Sequence, residues 1–207
     1  MGEKLFKNKK SVLKIGLTGN IGSGKTTVGK IWKNLDNNFQ YISMDEIGHK
    51  VVKKLQNKII EKFGLEIVKN ENIDNKKLSH LIFLNSNLYK SFMNLITPLM
   101  KKSIISEVKK ITKGILIVDG ALIFEYKLEK LFNYIVVVSS YKKTMIKRFC
   151  LKTNFSQNIV KNILNKQIDM KEKIKKADFV IYNNKSFEDL ESNSKKVWEK
   201  IKTINFS

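Results

Sequence analysis

The chain has 207 residues, 42% of them hydrophobic, and a net charge of +21. That is enough for one α/β domain with an insertion, or two small domains, and it excludes a disordered chain. The charge points first to nucleic acid or an anionic membrane, but of 40 basic residues only Arg148 is arginine. Arginine is the residue that reads bases and phosphates bidentately, so the lysine excess fits drift toward AT-rich codons better than a selected nucleic-acid surface. The single Cys150 excludes an internal disulfide and a cysteine-based zinc site and fits a reducing cytosol. No run approaches the roughly 18 apolar residues of a membrane span. Residues 1–6 lack a myristoylation Ser/Thr, lysines interrupt any secretory segment, and the first ten residues read as a flexible basic lead-in.

Residues 12–18 are apolar and short, which predicts a buried strand. Gly19-Asn20-Ile21-Gly22-Ser23-Gly24-Lys25-Thr26 follows, fitting G-x-x-x-x-G-K-[ST] at every fixed position, with Thr27 behind it. A helix is expected from there to about residue 35. Strand, glycine turn and helix define a phosphate-binding P-loop. The loop amides and the helix N-terminus face an anion. Lys25 can reach the β- and γ-phosphates, and the Thr26 hydroxyl can ligate Mg²⁺.

Residues 39–42 read as a second strand ending at Asp45. From 46 to 110 the spacing is largely helical, with a break at 63–65 and a helix start at Asp74. Pro98 is expected to mark a kink or a new helix start. Ile115-Leu116-Ile117-Val118 closes on Asp119 as a central parallel strand, and residues 134–138 form another. Helical patterning covers 142–176, a last strand 179–182, and an amphipathic helix runs from 186 to about 201. Strands alternating with helices predict an α/β sheet covered on both faces.

Ligands in such sheets sit beyond the carboxyl ends of the strands. Asp45, Asp119 and Ser139-Ser140 fall there. Asp45 could accept a proton from an attacking hydroxyl or help hold Mg²⁺. Asp119 resembles a Walker-B acid that touches Mg²⁺ through water. Either aspartate could instead be a helix N-cap. Arg148 offers a guanidinium where the chain otherwise uses lysine, on a helix that could close over a nucleotide. His49 and His80 are isolated and read as surface or packing residues; Trp32, Trp198 and Phe83 read as core.

Beyond the P-loop, the chain resembles the dephospho-CoA kinase family over nearly its whole length. Residues 15–28, Ile-Gly-Leu-Thr-Gly-Asn-Ile-Gly-Ser-Gly-Lys-Thr-Thr-Val, are similar to that family's I-G-L-T-G-G-I-G-S-G-K-[ST]-T-V. Ser43-Met44-Asp45 stands for D-A-D, Thr97-Pro98 for H-P, and residues 119–125 resemble its P-L-L-F-E segment. Gln167, Lys171, Ala177-Asp178 and Ile181-Tyr182-Asn183 echo its closing residues. The chain departs from the family at Ser43, Asn75, Thr97, Ala121 and Lys152.

The resemblance implies a three-layer α/β/α P-loop fold on a five-stranded parallel sheet. It implies a core of residues 11–45 and 112–207, a lid within about 145–170, and a helical acceptor-side insertion at 46–111. It implies a cytoplasmic, monomeric enzyme that uses ATP and Mg²⁺ to phosphorylate the ribose 3′-hydroxyl of dephospho-CoA, with no nucleic acid or membrane partner. Asp45 would be the base. Lys25 and Arg148 would stabilise the transferring phosphoryl. Residues 19–27, Arg148 and Asn183 would hold the nucleotide, and Thr26, with Asp119 through water, the metal. Another small kinase acting on shikimate or a nucleoside is the alternative, though one arginine is few for gripping a small anion. A basic nucleic-acid-binding module with a vestigial P-loop comes after it.

Overall fold

The computed structural model describes residues 12–206, so the basic lead-in lies outside the described part. β1 (Leu13–Thr18) runs into the glycine loop, and α1 (Lys25–Leu35) starts where the loop ends. β2 (Phe39–Ser43) follows, then α2 (Met44–Lys54) and α3 (Gln56–Phe63). A short hairpin of β3 (Val68–Lys69) and β4 (Asn72–Ile73) leads into α4 (Asn75–Leu84) and α5 (Ser86–Lys110). β5 (Ile115–Asp119), β6 (Tyr134–Ser139), α6 (Lys142–Thr153) and α7 (Gln157–Lys166) come next. α8 (Met170–Lys175), β7 (Phe179–Tyr182) and α9 (Phe187–Phe206) complete the chain.

Five strands pair in the order β2-β5-β1-β6-β7, all parallel, as helical crossovers require. Side chains alternate across the sheet. Leu116 and Val118, with Ile135 and Val137, pack under α2, α4 and α5. Ile115 and Ile117, with Val136 and Val138, face α1 and α9. The sheet is therefore the middle of three layers. Trp32 and Trp198 stack at 5.2 Å between α1 and α9, both fully buried.

Three expectations are corrected. α5 passes unbroken through Pro98, so no new helix starts there. The apolar stripe Phe92, Ile96, Met100, Ile104 and Val108 is buried on both sides of the proline, and that packing outweighs one missing amide donor. The helical stretch 142–176 is three helices. It breaks at Asn154, which takes a left-handed φ of 57°, and restarts at the caps Ser156 and Asp169. Phe83 is only half-buried and stacks on Tyr89 at 5.6 Å beside a cavity.

Candidate active site

The P-loop joins β1, in the middle of the sheet, to α1. Gly19, Gly22 and Gly24 have φ of 142°, 72° and 107°, where a side chain is strained. A Cβ on Gly22 would also lie 2.3 Å from the Met145 carbonyl oxygen. Gly24 caps α1 without any side-chain bond. Among the described residues, none accepts from the amides of Gly22, Gly24, Lys25, Thr26 or Thr27. A ring of free N–H groups at a helix N-terminus is an anion site.

Lys25 extends from this ring, and its Nζ donates to the Asn20 carbonyl at 3.3 Å. Burial lowers its pKa, against the pull of Asp119 and then Asp45. The Asp119 Oδ2 accepts from the Tyr41 hydroxyl at 2.8 Å and from Thr26 Oγ1 at 3.4 Å. Burial raises its pKa, and the Lys25 ammonium restrains the rise. No helix follows Asp119 directly, so it is not an N-cap. Thr26 and Asp119 together offer hard oxygens of the kind Mg²⁺ takes.

Asp45 lies in the first turn of α2. The cap of that helix is Ser43, whose hydroxyl accepts from the Glu46 amide at 3.3 Å. Asp45 is thereby freed from capping, and its carboxylate has no hydrogen-bond or ion-pair partner among the described residues. Its charge acts on Lys25, Tyr41 and Asp119. Asp45 also lines a cavity of about 300 Å³ walled by Phe83, Tyr89, Phe92, Phe149 and Phe155. An apolar, aromatic cavity with one carboxylate at its edge suits an extended organic acceptor.

Arg148 and Asn183 form a second group. Arg148 Nη1 donates to the Asn183 carbonyl at 3.3 Å and to Ser140 Oγ at 3.4 Å, and Nη2 donates to Asn183 Oδ1 at 3.3 Å. Asn183 Nδ2 in turn donates to the Ser23 carbonyl of the P-loop at 2.8 Å. The cation felt at Lys25 is Lys152, one turn further along α6 than Arg148. Of the other departures, Ala121 lines the cavity and Asn75 begins α4. His49 and His80 are exposed, and no cluster of three His, Cys, Asp or Glu able to hold a metal occurs among the described residues.

The sequence named Gln167 and Glu125 only by family resemblance; it did not reveal Tyr41, the hold of Gln167 on the P-loop or the pairing of Glu125 with Lys173. Tyr41 lies two residues from Phe39 on β2 and so shares its face, and Gly29 of α1 leaves room for its ring: a Cβ there would meet the hydroxyl at 2.7 Å. Lys173 has no exposed side-chain surface; its Nζ lies 2.8 Å from Glu125 Oε1 and donates to the Ala121 carbonyl at 2.7 Å. Glu125 Oε1 also accepts from the Ile168 amide at 2.8 Å.

A parallel five-stranded sheet, a P-loop of free amides with Lys25 and Thr26 at the helix start, and a carboxylate beside an aromatic cavity are the features of a P-loop phosphotransferase of the small-molecule kinase class. A model of the family described as dephospho-CoA kinase matches residues 13–189. The chain belongs to that family. It is 34% identical over 183 residues to the dephospho-CoA kinase of Fusobacterium nucleatum, covering 87% of this chain and 94% of the relative. A solved dephospho-CoA kinase from Campylobacter jejuni superposes with a TM-score of 0.67 at 30% identity, covering 94% of this chain and all of the other. A shikimate kinase from Bacteroides thetaiotaomicron shares the fold alone, with a TM-score of 0.56 at 13% identity over 92% of this chain and 98% of its own.

Proposed function

We propose that this chain transfers the γ-phosphoryl group of ATP to the ribose 3′-hydroxyl of dephospho-CoA, giving coenzyme A and ADP. The observation that carries the reading is Asp45: an unpartnered carboxylate at the edge of an aromatic cavity, close enough to Lys25 to influence its charge.

The free amides of Gly22 and of residues 24–27 cradle the phosphates, and the Lys25 ammonium neutralises charge on the β- and γ-groups. The acceptor lies in the cavity between the 46–111 helices and the 145–170 lid, its hydroxyl directed at Asp45. Asp45 accepts the hydroxyl proton as the oxygen attacks phosphorus, and the bond to the β-phosphate bridging oxygen breaks. Lys152 and Arg148 bring positive charge to the lid, with Arg148 held by Asn183 on the nucleotide side. Thr26 directly, and Asp119 through water, would hold Mg²⁺, which supplies further charge neutralisation on the β- and γ-phosphates. The reading carries a cytoplasmic, monomeric enzyme with small-molecule partners, and among the described residues no helix is long and apolar enough to cross a membrane.

An acceptor panel tests the reading. With ATP and Mg²⁺, dephospho-CoA should be consumed at least about 100-fold more efficiently than shikimate or a nucleoside, because a cavity that is built for one acceptor discriminates by differential transition-state binding. Phosphorylation of shikimate or a nucleoside with dephospho-CoA untouched would overturn it.

A further inference from the structure

The connection between α7 and α8 grips the P-loop at Asn20 and Ile21, ahead of the free amides of Gly22 and residues 24–27. Gln167 Oε1 accepts from the Ile21 amide at 3.1 Å, across 146 residues of sequence. The next carbonyl, that of Ile168, accepts from Asn20 Nδ2 at 3.4 Å. The connection is itself anchored, since the Ile168 amide donates to Glu125, which is paired with the buried Lys173. Ile21 and Gln167 also both line the acceptor cavity. One side of Gln167 thus faces the acceptor while its oxygen holds the loop that carries the donor. Its Nε2 has no hydrogen-bond partner among the described residues.

We infer that Gln167 is a positioning residue for the transfer: by holding the Ile21 amide it fixes the wall shared by the P-loop and the acceptor cavity, and so sets the approach of the acceptor oxygen to the γ-phosphate. The inference rests on the kinase reading above. In-line transfer tolerates little error, and displacement by about 1 Å costs on the order of 100-fold in rate. A loosened wall also admits water to the γ-phosphate, so ATP would be hydrolysed without transfer.

Two variants separate this role from a fold-supporting one. Gln167→Met keeps the length of the side chain and removes the acceptor oxygen; Gln167→Glu keeps the oxygen. The Met variant should lose roughly 10–100-fold in kcat, bind ATP within about 3-fold of wild type, and release more ADP than phosphorylated acceptor. The Glu variant should recover the one-to-one ratio. Amide hydrogen exchange at Ile21, followed by NMR, should quicken in the Met variant and not in the Glu variant. A Met variant with wild-type kcat and one-to-one stoichiometry would overturn the inference, as would unchanged exchange at Ile21. If wild type ignores dephospho-CoA, the substrate reading fails on its own, and the ADP-to-product ratio is read with whichever acceptor the panel identifies.

Discussion

Asp45→Asn should lower turnover by roughly 10²–10⁴-fold, the usual contribution of a positioned general base, while ATP binding stays close to wild type. The asparagine keeps the shape of the side chain and loses the ability to take a proton. The fold should tolerate it. α2 is capped by Ser43 and not by Asp45, so the loss is one first-turn charge, worth about 0.3–1 kcal/mol. The loop amides are untouched, and Lys25 keeps Asp119, whose charge acts on it more strongly than that of Asp45. Steady-state kinetics together with calorimetric ATP titration separates the two effects. Full turnover by the variant would remove Asp45 from the role of base and leave it a charge beside Lys25.

The second large effect is on stability. Glu125→Ala should cost about 3–5 kcal/mol, because it leaves the Lys173 ammonium buried without its counter-charge. At roughly 2–4 °C per kcal/mol for a chain of this size, Tm should fall by about 6–20 °C. The pH dependence has a definite sign. Burial already lowers the Lys173 pKa below its usual 10.5, with Glu125 opposing. Without Glu125 it falls further, while the unfolded chain keeps the ordinary value. Between the two, the unfolded state binds more protons, so the variant's stability rises with pH. The deficit against wild type should therefore be largest below the lowered value and shrink as pH climbs toward 10.5. Changing both residues, to Glu125→Leu with Lys173→Met, should regain most of the loss, since a buried pair replaced by apolar groups of similar volume is often neutral. A single variant with unchanged Tm would show that Lys173 finds water or another partner.

The core of the fold was open to reading because its signals are local. Ile115 to Val118 is an unbroken aliphatic run, as a strand buried on both faces must be. The glycines at 19, 22 and 24 and the lysine after them can serve few other purposes. What escaped was either atypical or distant. The hairpin turn puts Asn70 and Glu71 at φ of 48° and 62°, and such a turn is usually betrayed by a glycine that is absent here. The breaks between α6, α7 and α8 rest on single residues, Asn154, Ser156 and Asp169, inside a stretch with continuous helical patterning. The candidate site divides in the same way. Lys25, Thr26, Asp45 and Asp119 were legible from motif and strand end. Gln167 meets Ile21 across 146 residues, and Lys173 meets Glu125 on a different element, where no spacing rule reaches. Arg148 was legible as an isolated guanidinium, but its attachment to Asn183 and Ser140 depends on how α6 sits over β6 and β7.

The measurement that bears most directly on the central claim is the position of the transferred phosphoryl group. The purified chain should be incubated with Mg²⁺, dephospho-CoA and ATP labelled with ¹⁸O in the γ-phosphoryl group, and the product resolved by mass spectrometry and ³¹P–¹H NMR. The prediction is coenzyme A with the labelled phosphoryl on the ribose 3′-oxygen, formed one-for-one with ADP and lost in Asp45→Asn. Label at another hydroxyl, or only in free phosphate, would contradict it.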